Sequence, residues 1–296
     1  MKNCSKGPSA TIIAGCGVLL SAALLVAGLY RPGIAAQPVD QPVAQAGTST
    51  LLPTSRLREP AVAAVVADAA RDARHTALDA LHQPDAVLAF ARVAEGMVVL
   101  EWGGNDGYYT ELLARAVGPA GHVYVSQLRE GARARKLRNV VLVSDALVEL
   151  ADSSVDIAFS HLNYHTRFHP AADRQAHLQA AHRVLQLGGM LVVIDHAAMP
   201  GSLGHDAVRW QRVDEELVAR EVQRRGFLFE EASDVLRNAA DDRERPIDDA
   251  ALHGATDRFA LRFVRVGGLD TRSASGPDLV ANSDGRWPEE PASDRP

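Results

Sequence analysis

The chain has 296 residues, 47% hydrophobic and 23% charged, with a net charge of -6 and a pI near 6.0. That length and apolar content support one large domain with a buried core and exclude a chain disordered throughout. The acidic balance lacks the broad positive footprint that a nucleic-acid backbone requires, so no nucleic-acid partner is expected. One basic run, Arg129, Arg133, Arg135, Lys136 and Arg138, reads as the solvated face of a short helix. Cys4 and Cys16, the two cysteines, both lie near the N-terminus, so the body of the chain has neither a disulfide nor a thiol nucleophile.

Lys2 and Lys6 precede an uncharged stretch from Thr11 to Tyr30, with small residues at Gly33, Ala35 and Ala36. This pattern over residues 1–36 predicts a signal peptide or an uncleaved membrane anchor, either of which exports the body to the periplasm or the outer side of the inner membrane. Ile13-Ala14-Gly15-Cys16 also resembles a lipoprotein cleavage box, but most of the apolar run follows the cysteine. Residues 37–58 then have the composition of a flexible linker.

The domain is expected over residues 59–266. Alanine-rich Glu59 to Leu81 predicts a helix and Pro84 opens another, together a helical preface. Met97 to Trp102 is a short apolar run typical of a buried parallel strand. In the helix after it, Tyr109, Leu112, Leu113, Ala116 and Val117 share one face. Strands His122 to Ser126 and Val140 to Val143 follow, with a basic helix between them, and then the strand Val155 to Ser160. A helix from Ala171 to Leu185, a strand from Met190 to Asp195 and a helix from Asp206 to Arg225 come next. Phe227 to Glu231 and Phe259 to Val266 lack a helix between them, which predicts an antiparallel pair at one edge of a doubly wound α/β sheet. The long loop between this pair, Ser233 to Asp257, has the length of a functional lid. Residues 267–296 read as a disordered tail.

Ligands of open α/β sheets bind beyond the carboxyl ends of the strands. Glu101-Trp102-Gly103-Gly104-Asn105-Asp106-Gly107 occupies such an end, and its spacing is not the GxGxxG of a dinucleotide site. The segment VLEWGGNDGYYTELLARAV (Val99 to Val117) resembles the first motif of class I S-adenosylmethionine-dependent methyltransferases, and AHRVLQLGG (Ala181 to Gly189) resembles their helix-to-fifth-strand signature. The pieces LNYH (Leu162 to His165), VIDHAAMPGS (Val193 to Ser202), Val213 to Phe229, SDVLRNAADD (Ser233 to Asp242) and TDRFALRF (Thr256 to Phe263) resemble a family of bacterial predicted methyltransferases that often carry export leaders.

That resemblance implies a Rossmann-like, seven-stranded sheet, S-adenosyl-L-methionine as cofactor and methyl transfer to an acceptor that the sequence does not identify. It assigns Glu101 to the cofactor's methionine end, Gly103, Gly104 and Gly107 to the loop, and Asp145 and Ala146 to adenine. Gln127 stands where such enzymes carry a ribose-binding acid, a departure from the pattern, as is Asn105 at a glycine position. His165 after the fourth strand is the candidate general base. Tyr164 or Asn163 could orient the acceptor, and Asp195 and His196 reach the same edge at the end of the fifth strand. Two alternatives are a metal site built on His161, His165 and His169, and a nucleoside-binding module without turnover.

Overall fold

The computed structural model describes residues 59–168, 174–202, 204–252 and 254–267, all within one compact unit, Pro53–Pro296. The expected leader and linker, His169 and the tail beyond Gly267 lie outside the described residues. Among the described residues no helix is long and apolar enough to cross a membrane.

Strands β1 (Val98–Trp102), β2 (His122–Val125), β3 (Val140–Leu142), β4 (Val155–His161) and β5 (Leu185–His196) run parallel. β6 (Phe227–Ser233) and β7 (Arg258–Arg265) form the expected antiparallel pair, with β7 also antiparallel to β5. The sheet order is β3-β2-β1-β4-β5-β7-β6. Side chains alternate across it: Val99, Ile157, Phe159, Val192 and Ile194 enter the core on one face, and Leu100, Ala158, Leu191 and Val193 the core on the other.

The preface consists of α1 (Glu59–Val66), α2 (Ala73–Thr76), α3 (Asp79–His82) and α4 (Pro84–Phe90). The sequence predicts one helix over the first three. Two aspartates divide it, because Asp68 Oδ1 accepts from Ala70 N at 2.8 Å, and Asp72, in an extended conformation, caps α2 by accepting from Arg74 N at 3.0 Å. α5 (Tyr108–Val117) buries its predicted face completely. The expected basic helix is only a 3₁₀ turn, Arg133–Lys136, since Ala132 and Ala134 alternate inward while Arg133 and Arg135 stay exposed. All five cations of the run are exposed, as a solvated face requires.

α6 (Arg174–Val184), α7 (His205–Arg209) and α8 (Glu215–Gln223) complete the chain. α7 and α8 replace a single predicted helix because Val213 is bridged to Ala197 at the end of β5, and Asp214 restarts the helix by accepting from Glu216 N at 2.9 Å. Between them Arg212 is fully buried, donating to Asp241 at 2.8 and 3.1 Å, to Ala197 O at 3.0 Å and to Arg245 O at 2.8 Å. Asp241 also accepts from Asp257 N at 2.6 Å, so the β6–β7 loop is bolted to the body and does not form the free lid that its length suggests.

Two arginines on one face of β7 tie the preface to the sheet. Arg258 donates to Leu81 O at 2.5 Å, and Arg262 donates to Phe90 O while pairing with Glu230 at 2.6 Å. Breaking a buried pair by removing one partner costs about 3–5 kcal/mol. Arg212→Ala, which strands the Asp241 carboxylate, is therefore expected to lower unfolding free energy by about that amount in urea titrations followed by circular dichroism.

Candidate active site

The loop after β1 is held in a turn that few residues tolerate. Gly103, Asn105 and Gly107 all have positive φ, at 73°, 47° and 94°. Asn105 thus adopts the left-handed conformation of a glycine, which asparagine reaches more readily than other side chains. The loop is pinned by Gly104 N donating to Ser126 O at 3.0 Å and by Gly107 N donating to Gly104 O at 2.7 Å. A Cβ on Gly103 would lie 2.3 Å from the amide of Asn163, and one on Gly104 2.4 Å from Val125, so both glycines are required by close packing. Glu101 lies beneath, 2% exposed, accepting from the Thr110 hydroxyl at 2.5 Å. Burial lifts its carboxyl to about 7, only partly offset by the Thr110 bond.

Past β2 and β3, exposed Gln127 donates to Asp145, whose other oxygen, Oδ1, is buried without a partner. Burial raises the Asp145 carboxyl, but the Gln127 and Ser126 bonds and the Arg167 charge bring it below its ordinary value. Ala146 is exposed beside it. Arg167 stands 3.6 Å from Asp145 and donates to Asn163 Oδ1 at 3.1 Å, so a polar chain runs from Gln127 to the amide packed on Gly103. Arg167 escapes notice in the sequence, although it stands four residues beyond Asn163.

At the ends of β4 and β5, Asp195 gathers three N–H groups. Its oxygens accept from His165 N at 2.8 Å and His196 N at 2.7 Å, and His165 Nδ1 lies 2.7 Å away. A carboxylate only accepts, so Nδ1 carries a proton, and Nε2 has no bond to any described residue. Burial lowers His165, but the charge and bond of Asp195 more than compensate, and its pKa lies above the ordinary value; Asp195 is correspondingly held low. His196 Nδ1 meets the Thr256 hydroxyl at 2.6 Å, and burial pushes this imidazole down to about 3. His165, Asp195 and His196 are thus one unit. Tyr164 is not with them: its ring packs 6.0 Å from Phe168 in the core and its hydroxyl donates to Glu221 at 2.9 Å.

A cavity of about 120 Å³ opens on the loop, lined by Glu101, Gly103 and Gly104 on one side and by His82, Tyr109 and His161 on the other. His82 comes from the preface, and nothing local in the sequence marks it. His161 and His165 therefore face different neighbours, and among the described residues no group of three or more His, Cys, Asp or Glu could hold a metal.

The residues fit an amino-acid-bearing nucleoside. Glu101 offers a buried carboxyl to an ammonium, and the unpartnered Asp145 Oδ1 needs a donor such as an amino or hydroxyl group. The cavity's volume falls below that of an ordinary ligand pocket, and Gln127 and Ala146 lie exposed outside its lining.

Residues 100–193 match the family described as a methyltransferase domain. The chain is also similar to a SAM-dependent methyltransferase from Aquifex aeolicus, at 21% identity over 64% of this chain and 93% of that one, with a TM-score of 0.49. A SAM-dependent methyltransferase from Mesorhizobium loti is 16% identical over 64% of this chain and 100% of that one, with a TM-score of 0.46. An arsenic(III) S-adenosylmethionine methyltransferase from Chlamydomonas reinhardtii is 19% identical over 60% and 66%, with a TM-score of 0.43.

The left-handed turn makes its own forecast. Asn105→Ala should lose about 1 kcal/mol in chemical denaturation, the cost of forcing an ordinary side chain into this region, whereas Asn105→Gly should lose less.

Proposed function

We propose that the chain transfers the methyl group of S-adenosylmethionine to an acceptor that must lose a proton, a reading supported by the strand order of the sheet and by the match of residues 100–193 to a methyltransferase domain family. The observation that carries this reading is the convergence on one sheet edge of the glycine loop and the His165–Asp195 pair. Glu101, Gly103 and Gly104 would hold the amino-acid end of the cofactor, Gln127 and Asp145 its nucleoside. When bound, the cofactor supplies an electrophilic methyl group whose departing sulfur keeps the bonding electron pair.

The protein's own contribution is alignment and proton transfer. Asp195 fixes the ring of His165 with the proton on Nδ1, so Nε2 is the basic position that receives the acceptor's proton. His196 is too weak a base for that task and instead secures Asp195 through its backbone N–H. Asn163, 4% exposed, keeps the loop backbone in place from the β4 side.

Calorimetry of the protein with S-adenosylmethionine at pH 6, 7 and 8 tests the cofactor site. A cation beside Glu101 favours its ionised form, so below about 7 binding must expel a proton, and affinity should fall by up to tenfold per pH unit. Glu101→Gln should flatten that slope; absence of binding heat at every pH would remove the proposal.

His165→Ala tests the base. Its turnover should drop by about 10²–10⁴ with cofactor affinity nearly intact. In the unsubstituted protein the rate should rise with pH through a value above that of an ordinary histidine, because Nε2 must be unprotonated to act.

A further inference from the structure

The outer edge of the sheet at β3 carries charge opposite in sign to that of the chain. Between Gln127 and Ser144 stand five cations, Arg129, Arg133, Arg135, Lys136 and Arg138, against one acid, Glu130, in a chain whose net charge is -6. All five are exposed, and among the described residues none of them is ion-paired. Their scaffold is fixed. Ala132 and Ala134 are buried with Val125 and Leu128, so the turn Arg133–Lys136 is anchored through its alanines while its cations stay in solvent.

Solvation accounts for the charges but leaves the aliphatic side chains beside them unexplained. β3 is the outermost strand, and its Val141 and Leu142 are 39% and 49% exposed. Leu142 is in register with Val125, which packs with Ala132 and Ala134, so Leu142 emerges on the face that the basic turn covers. Cations and an aliphatic side chain thus share one surface. No aromatic residue occurs from Ser126 to Ala158, so this edge has nothing on which a nucleic-acid base could stack. The opposite edge, β6, also exposes Leu228 and Phe229, but there the acids Glu230 and Glu231 follow directly. At β3 the exposed aliphatic groups come with positive charge.

Cations that meet lipid phosphates, beside aliphatic groups that enter the boundary between headgroups and acyl chains, are the chemistry that binds an anionic bilayer. We propose that the β3 edge, with the turn Arg133–Lys136 across it, docks on the surface of an anionic lipid bilayer. The charge asymmetry orients the contact, because an acidic chain is repelled from such a surface except through its basic edge. The basic run also begins against the glycine loop. Arg129 N donates to Asn105 O at 2.7 Å, and a Cβ on Gly107 would lie 3.1 Å from Ala134, so docking sets that loop beside the lipid. The surface itself does not depend on the methyltransferase reading.

The test follows hydrogen exchange by mass spectrometry in the full chain, mixed with vesicles of phosphatidylcholine alone or with about one-third phosphatidylglycerol. Exchange read segment by segment separates this edge from any contact that the N-terminal residues make with lipid. On anionic vesicles residues 129–142 should exchange at least threefold more slowly than on neutral ones, while β6 is unchanged. The difference should vanish in about 1 M salt, where screening reaches about 3 Å. Arg133→Glu, Arg135→Glu and Lys136→Glu together should abolish the protection, and Leu142→Ser should reduce it at least twofold; all four positions are exposed, and circular dichroism checks that the fold is kept. Glutamine at the same three cation positions carries the same expectation where glutamate disturbs the turn. Equal exchange on the two kinds of vesicle, protection that survives the charge changes, or equal protection of β6 would overturn the proposal. Equal protection by duplex DNA at matched phosphate concentration would overturn it too, in favour of a general polyanion site.

Discussion

The position of β1 between β2 and β4 is the constraint on which the site depends. The chain builds outward from β1 in one direction through β2 and β3, then returns to lay β4 and β5 on the other side. Loops leaving β1 and β4 must therefore diverge at their carboxyl ends, and the crevice between them is where an open α/β sheet binds ligands. Glu101 ends up under that crevice, and Asn163 bridges it, because their strands are hydrogen-bonded neighbours in register.

Burying charge at this edge would be costly if each group were not answered. Asp195 is fully buried, yet it accepts from two backbone N–H groups and one imidazole, and those bonds set the orientation of the ring that it serves. Arg212 with Asp241 solves the same problem one layer out, where the ion pair secures the loop that delivers Thr256 to His196. Removing polar groups from this region would loosen the site before it loosened the core.

What the sequence discloses follows the range of the interaction. The glycine loop is legible because its acid, its turn residues and the strand before it lie within a few positions, and Asn105 can be foreseen there as a substitute for glycine. His165 and Asp195 can each be placed on one edge from the strand pattern, but their bond spans two strands and no local pattern contains it. His82 is invisible for the same reason, being carried to the cavity by a helix that Arg258 holds from the far side of the chain. Where local pattern misled, short-range polar competition is the cause. Asp68 satisfies a backbone N–H in the turn after α1, and Asp72 and Asp214 cap the first turns of α2 and α8, so these aspartates divide alanine-rich or amphipathic runs that periodicity joins. In the basic run, alanines alternate with arginines at every second residue, a period that no α-helix can bury on one face.

The Arg258 contacts with His82 and Leu81 link residues 176 and 177 positions apart. Closing so long a loop carries a large entropic cost before any contact repays it, and contacts of this span form late. During synthesis, the central strands and their glycine turn can assemble while β7 is still unmade, but the histidine wall cannot be locked until the last strand has emerged. The nascent protein thus acquires the scaffold first and the His82 side of the cavity only after β7 has emerged.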